Sequence, residues 1–390
     1  MKKTVRIAGR AVLGFAIAAA CMGGAHAADK IKVGLMLPYT GTYASLGNAI
    51  TNGFKQYVAE NGGKLGGLEV EYAVVDDESN PAKATENAKK LVSRDKVDVL
   101  IGTVHSGVAL AMAKVARDTR TLMIVPNAGA NDITGPLCSP YVFRSSFSAW
   151  QPSYAMGEAL TKKGIKNVAT VTWKYSFGEE SVAGFKEAFE KSGGKVVKEM
   201  TLPFPNVEFQ PFLTEIASLK PDAVFVFFAG AGAAKFVSDY AAAGLKNNVP
   251  LYGPGFLTDG NLDAMGGAGE GLMTTLHYAD GLDNAKDVAF RTRYQAAYKG
   301  QPDVYAVQGY DAAQMFDAGL KAAGGDPKQK EAVIKGIEAA KIESPRGTFT
   351  LSRAHNPIQD IYMREVKAGG NVVIEVATRG LEDPARGCKM

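Results

Sequence analysis

Residues 68–102 read LEVEYAVVDDESNPAKATENAKKLVSRDKVDVLIG and spell out a strand, a helix and a second strand. Leu68–Val75 is a short, apolar-rich run of strand character. Asn80-Pro81 places a capping residue before a proline at the first helical position, where the missing N–H is not needed. From Ala82 to Arg94, Ala84, Ala88 and Leu91 recur at spacings of four and three, which is a helical stripe. The helix ends near Asp95, and Val97–Ile101 begins the next strand. Two strands joined through a helix run parallel, because the crossover returns the chain in the same direction.

The same alternation extends outward in both directions. Ile31–Leu37, Leu122–Val125, Asn167–Trp173, Val196–Leu202, Ala223–Phe228 and Leu251–Gly253 read as buried strands, with helical patterns between most of them. That implies an α/β fold of parallel sheets covered on both faces. The pattern pauses between Asn131 and Gln151, where Gly135-Pro136, Ser139-Pro140 and Gln151-Pro152 surround a short strand at Tyr141–Arg144. It restarts at Ser153, so the first crossing between domains is expected there. Gly347–Leu351, Ile358–Lys367 and Asn371–Val376 read as strands without helices, with a turn at Ala368–Asn371. The chain is expected to return there to complete an earlier domain. At about 100–200 residues per domain, 390 residues fit two.

The N-terminus reads as an address. Lys2, Lys3, Arg6 and Arg10 precede an apolar run from Ala11 to Met22, and Ala25-His26-Ala27 offers a cleavage site before Ala28. The run is too short to span a bilayer, which takes about 20 residues. Residues 1–27 are therefore expected to be a signal peptide for export to the periplasm. Lipid anchoring at Cys21 is the alternative, and Ala18-Ala19-Ala20 before it is a poor lipidation signal. Without residues 1–27 the chain carries 40 basic and 40 acidic residues, which argues against a nucleic-acid partner. Export leaves Cys138 and Cys388, which form either one bridge or two independent thiols, since spacing does not determine pairing.

Catalytic motifs are missing. There is no GxSxG elbow, no phosphate loop, no CxxC and no HExxH. Gly230-Ala231-Gly232 imitates a dinucleotide turn, but Lys235 stands where the third glycine belongs, so no cofactor is expected. Small residues there also serve close packing. In open α/β sheets ligands sit beyond the carboxyl ends of the strands. The loops in question contain Tyr39, Tyr43, His105, Ser106, Tyr175, Phe177 and Phe256. Ser106 stands where a helix begins, a position that suits a carboxylate and equally suits a plain N-cap.

Taken in order, Ile31-Lys32-Val33-Gly34, Tyr39-Thr40-Gly41, Asp76–Ala84, Val99–Gly102, Leu122–Thr134, Tyr141–Arg144 and Ser176–Glu179 form a pattern. It resembles the periplasmic leucine/isoleucine/valine-binding proteins, the type I solute receptors of ABC importers, over residues 29–390. The resemblance implies two lobes joined by three crossings that close on ligand by a hinge. It places residues 28–147 and 279–350 in the first lobe and 148–278 and 351–390 in the second. It implies that Ser106 holds a ligand carboxylate with help from the backbone of Ala128 and Gly129, that Phe177 adds an aromatic wall, and that the loop at Tyr43–Leu46 contributes. Its partners would be a membrane permease and ATPase, and the receptor itself a monomer that is not an enzyme.

This sequence departs from the amino-acid receptors where their ligand ammonium meets an acid. The aligned position is Gly255, and Phe147–Gln151 also lacks an acid. An unpaired buried ammonium would be costly. Trp150, Trp173, Phe177 and Phe256 favour a flat apolar ligand, and His105 is a further candidate ligand-binding residue. The pattern resembles the branch of the family that binds aromatic carboxylates such as benzoate derivatives. Branched-chain amino acids are the alternative ligand, with Asp259 as a substitute acid if its loop shifts. A signalling sensor on the same fold, or an exported hydrolase, is the alternative class.

Overall fold

On β1 (Ile31–Leu37), Ile31, Val33, Leu35 and Leu37 enter one core while Met36 enters another. A strand buried on both faces is the mark of a sheet with helices on each side. The computed structural model, which describes Met1, Thr4 and residues 30–390, shows two such sheets. The expected signal peptide, its cleavage site and Cys21 lie outside the described residues.

The first sheet comprises β1, β2 (Lys64–Leu65), β3 (Leu68–Asp76), β4 (Val99–Ile101), β5 (Leu122–Val125) and β6 (Val142–Arg144), in the order β2-β3-β1-β4-β5-β6. Only the β2–β3 hairpin is antiparallel. Helices α1 (Ala44–Glu60), α2 (Pro81–Ser93) and α3 (Ser106–Thr119) follow the strands. Asn80 caps α2 by accepting from the Ala82 N–H at 3.0 Å, with Pro81 at its first position, as the sequence predicts. Ala84, Ala88 and Leu91 of α2 pack with Met112 of α3 and with Met36, Leu100 and Met123 of the sheet.

The second sheet begins after α4 (Trp150–Lys162) with β7 (Asn167–Trp173), α5 (Ser176–Lys191), β8 (Lys195–Leu202), α6 (Gln210–Leu219), β9 (Ala223–Phe227), α7 (Gly230–Ala242), β10 (Leu251–Pro254), α8 (Leu262–Met265) and β11 (Met273–Leu276). The chain then returns to the first lobe. There α9 (Ala285–Tyr298), α10 (Val304–Ala322) and α11 (Lys330–Glu338) follow, and α10 packs along α1. It ends in β12 (Ile342–Ser344), β13 (Gly347–Leu351), β14 (Pro357–Lys367) and β15 (Gly370–Leu381). The order is β12-β13-β14-β11-β10-β9-β7-β8, with β15 on β14.

Two differences from the sequence reading stand out. β11 is only Met-Thr-Thr-Leu, too short and polar to stand out, and becomes a strand because β10 pairs on one side and β14 on the other. The final hairpin turns on Ala368 and Gly369 alone, both at positive φ, and β15 runs to Leu381 past the expected Val376. β13 pairs with β14 through Thr350↔Ile358 and Leu351↔Pro357. This ladder extends the second sheet back to Ile342. β12 also packs on α9 and α10.

Candidate functional site

The carboxyl ends of β4 and β5 face those of β7, β9 and β10 across the junction between lobes. At the first of these ends the helix cap is His105, not Ser106. Its Nδ1 accepts from the Gly107 N–H at 3.1 Å. Burial pushes the imidazole down to about 4, so His105 is neutral, and it stacks on Tyr175 of the other lobe at 4.5 Å. Ser106 becomes the first helical residue. It is fully buried, and its Oγ has no hydrogen-bond partner among the described residues. A buried, unpaired hydroxyl at a helix N-terminus suits an anionic acceptor.

Aromatic rings cross the junction. The Tyr43 and Tyr175 hydroxyls pair at 2.9 Å. Phe177 lies 4.2 Å from Phe227 and 5.7 Å from Phe256, measured between ring centroids. Phe147 lies 4.7 Å from Phe256, 6.0 Å from Phe177 and 5.5 Å from His277. Tyr305, on α10, completes the group 6.2 Å from Phe256, and its buried hydroxyl is unpaired among the described residues. Gly129 lies against these rings. A Cβ there would stand 2.3 Å from Phe177 and 2.9 Å from Phe147. Gly230, at positive φ, would meet the Thr42 carbonyl of the first lobe at 2.3 Å, and Gly232 would meet Trp173 at 2.4 Å. The imitation of a dinucleotide turn therefore serves close packing.

Tyr43, His105, Ser106, Gly129, Phe177 and Phe256 thus gather at the junction, and two expected residues do not join them. Ala128 donates its N–H to the Thr103 carbonyl at 2.9 Å, and its own carbonyl accepts from Arg144, so its backbone is committed to the fold. Trp150 is buried against α5 instead: its indole N–H donates to Glu187 at 3.0 Å, and its ring packs on Tyr154 at 4.3 Å.

The charge pattern beside Phe256 is the sharpest feature. The Arg364 guanidinium donates to Asp259 at 2.7 Å, to the Tyr278 carbonyl at 2.7 Å and to Thr274 at 2.9 Å. A Cβ on Gly255 would stand 2.1 Å from Arg364 Nη2. An arginine therefore fills the space that a side chain at position 255 would enter, and it also neutralises Asp259. Asp259 is itself pushed up to about 6, chiefly by burial.

Glu180 on α5 joins the lobes by accepting from the Asn131 N–H at 2.6 Å. Burial, with repulsion from Asp132 and Asp383, pushes its carboxyl up to about 8 against that hydrogen bond and Arg144. A carboxyl raised above its unfolded value of about 4.3 takes up a proton on folding. Its contribution to stability is therefore present at low pH and lost as pH rises from about 4.5 through 8. Glu180→Gln is expected to flatten this part of the stability profile, measured as urea midpoints from pH 5 to 8.5. Equal slopes in the two proteins would refute it.

Phe147, Tyr305, His277 and Arg364 were not legible as site residues. Phe147 falls in the irregular stretch before the second lobe. Tyr305 sits among small helical residues. Arg364 occupies a strand where nothing marks a buried charge. Among the described residues no His/Cys/Asp/Glu group could hold a metal, and no helix is long and apolar enough to cross a membrane.

The fold has close counterparts. The family model for periplasmic binding proteins matches residues 30–371. A Leu/Ile/Val-binding protein homologue of Brucella melitensis is 32% identical over 87% of this chain and 88% of its own length. A solute-binding protein of an ABC transporter from R. palustris, solved with benzoate, is 55% identical with a TM-score of 0.91, covering 93% of this chain and 100% of that one. A second, from Rhodopseudomonas palustris BisB5 with 3,4-dihydroxybenzoic acid, is 35% identical with a TM-score of 0.86, covering 91% and 99%. With two doubly wound lobes meeting over a ring-lined junction, and a family match across nearly all the described chain, this protein belongs to the periplasmic binding proteins.

Proposed function

We propose that this protein is the exported, periplasmic solute receptor of an ABC importer. It captures a benzoate-type aromatic carboxylate between its lobes, closes by a hinge and delivers the ligand unchanged to a permease. The observation that carries this reading is the Arg364–Asp259 pair beside Gly255. It pairs Asp259, the acid nearest Gly255, with an arginine whose charge opposes a ligand ammonium there, while Phe147, Phe177, Phe256 and Tyr305 offer faces to a flat ring. Ser106 Oγ is assigned to the ligand carboxylate, with Gly129 letting the Phe177 and Phe147 rings close in around the site. The solved relatives that hold benzoate and 3,4-dihydroxybenzoic acid support the same chemistry. The name of the Brucella relative favours a branched-chain amino acid instead, but that ligand needs an acid which Arg364 has already engaged.

Calorimetric titration of residues 28–390 with benzoate and with leucine tests the reading. Micromolar benzoate binding, about −8 kcal/mol, with no heat from leucine is the expected result. Ser106→Ala is expected to weaken benzoate about ten- to hundredfold, the range for losing one hydrogen bond to a charged group. Leucine binding with benzoate silent would overturn the assignment.

A further inference from the structure

The C-terminal tail does not stop where the second lobe's sheet ends. β15 finishes at Leu381, and the tail then runs across to the first lobe. Asp383, buried, accepts from the Ser148 hydroxyl on the segment that first connects the lobes. Ala385 N–H folds back onto Asp383 at 2.7 Å. Arg386 forks onto Glu187 of α5 through two bonds of 2.7 and 3.0 Å, and Glu187 also holds the Trp150 indole. These contacts belong to the second lobe and its connection.

The next residues touch the first lobe. Gly387 packs against Pro136, and the Arg386 carbonyl lies beside Gly135. Cys388 is then bonded to Cys138, with Cα atoms 5.5 Å apart. Cys138 sits between the turn Asn131–Ile133 and β6 of the first lobe. The stretch lies by the Asn131–Glu180 contact, and Asp383 is among the charges acting on Glu180.

We propose that residues 382–388 form a strap, closed by the Cys138–Cys388 bond, that limits how far the lobes open. The chain crosses between lobes at its connecting segments, and the bridge adds a further covalent link beside the first of them. Seven residues from Leu381 to Cys388 reach at most about 25 Å fully extended. Opening beyond a small angle must first release Arg386 from Glu187 and Ser148 from Asp383. An intact strap keeps the ligand-free receptor near its closed form and so reduces what the ligand must do to close it. This rests on the hinge-closure part of the proposed function, but not on the identity of the ligand.

Small-angle scattering of the ligand-free protein tests the strap without any ligand. One sample is oxidised. A second is reduced with dithiothreitol, whose two thiols become a disulfide as Cys138 and Cys388 take up two electrons and two protons. A third is Cys138→Ser/Cys388→Ser. The reduced and double-serine proteins are expected to show a larger radius of gyration than the oxidised one, with unchanged far-ultraviolet circular dichroism. Benzoate affinity should fall about five- to twentyfold. Equal radii, with two free thiols confirmed by titration, would overturn the strap. Failure of benzoate to bind the oxidised protein would count against the ligand assignment alone. If loss of the bridge unfolds the chain, Arg386→Ala, which loosens the strap with the bond intact, decides: a larger radius supports it and an unchanged one refutes it.

Discussion

Gly129→Val is expected to weaken benzoate binding about a hundredfold while leaving the fold intact. The added Cβ would stand 2.3 Å from Phe177 and 2.9 Å from Phe147. Neither ring has free space to move into. Phe177 is held by Phe227 and Phe256, and Phe147 by Phe256 and His277. Gly129 belongs to the first lobe and Phe177 to the second, so the clash is relieved by the lobes staying apart rather than by unfolding either one. Overpacking of this kind costs roughly 1–3 kcal/mol, and the upper part of that range is about a hundredfold in affinity. Calorimetry on wild type and variant reads it directly. Binding within about threefold of wild type would show that the rings do not have to meet at Gly129 for capture.

Arg346→Ala is expected to be the most destabilising single change, at about 3–5 kcal/mol, the range for leaving a buried charge without its partner. Arg346 is buried between the lobes. It lies 3.1 Å from Asp311 on α10, donates to Gln359 on β14 at 2.6 Å and to the Ser146 carbonyl at 3.1 Å, and also bonds the Ser145 carbonyl. Its guanidinium stands 3.9 Å over the Phe349 ring. Burial pushes Asp311 up to about 7 and Arg346 down to about 10, so each depends on the other. Removing the arginine leaves Asp311 with only the Ser344 hydroxyl as partner and strips two carbonyls of the first connecting segment of a donor. Arg346→Met with Asp311→Leu, which removes both charges, is expected to recover much of the loss. Urea denaturation measures both, and a loss under 1 kcal/mol for Arg346→Ala would mean water reaches the pair.

The fold was legible because its signals are local. Asn80-Pro81 and the stripe Ala84, Ala88, Leu91 announce α2 without reference to the rest of the chain. β11 was not legible, because a four-residue strand with two threonines owes its state to its neighbours. The site divides the same way. Ser106 and Gly129 were candidates through the resemblance to a known family. Trp150 could not be excluded, since a tryptophan at a helix start carries no sign of which way its indole turns. His105 was placed in a cleft loop by the sequence, and the structure makes it the cap, with the Ser106 hydroxyl left unpaired among the described residues.

By itself the sequence determined α/β units of parallel strands and a pair of cysteines able to bridge, which follow from periodicity, caps and composition acting over a few residues; the two-lobe plan and the missing acid at Gly255 were what its resemblance to a known family implied. Only the tertiary structure decided that Arg364, more than a hundred residues later, fills the space beside Gly255 and claims Asp259. It alone decided that Phe147 and Tyr305 join the rings, and that the tail crosses from one lobe to the other before its cysteine is bonded. Each depends on which distant surfaces meet, and burial in that meeting sets both the charge pairing and the shape.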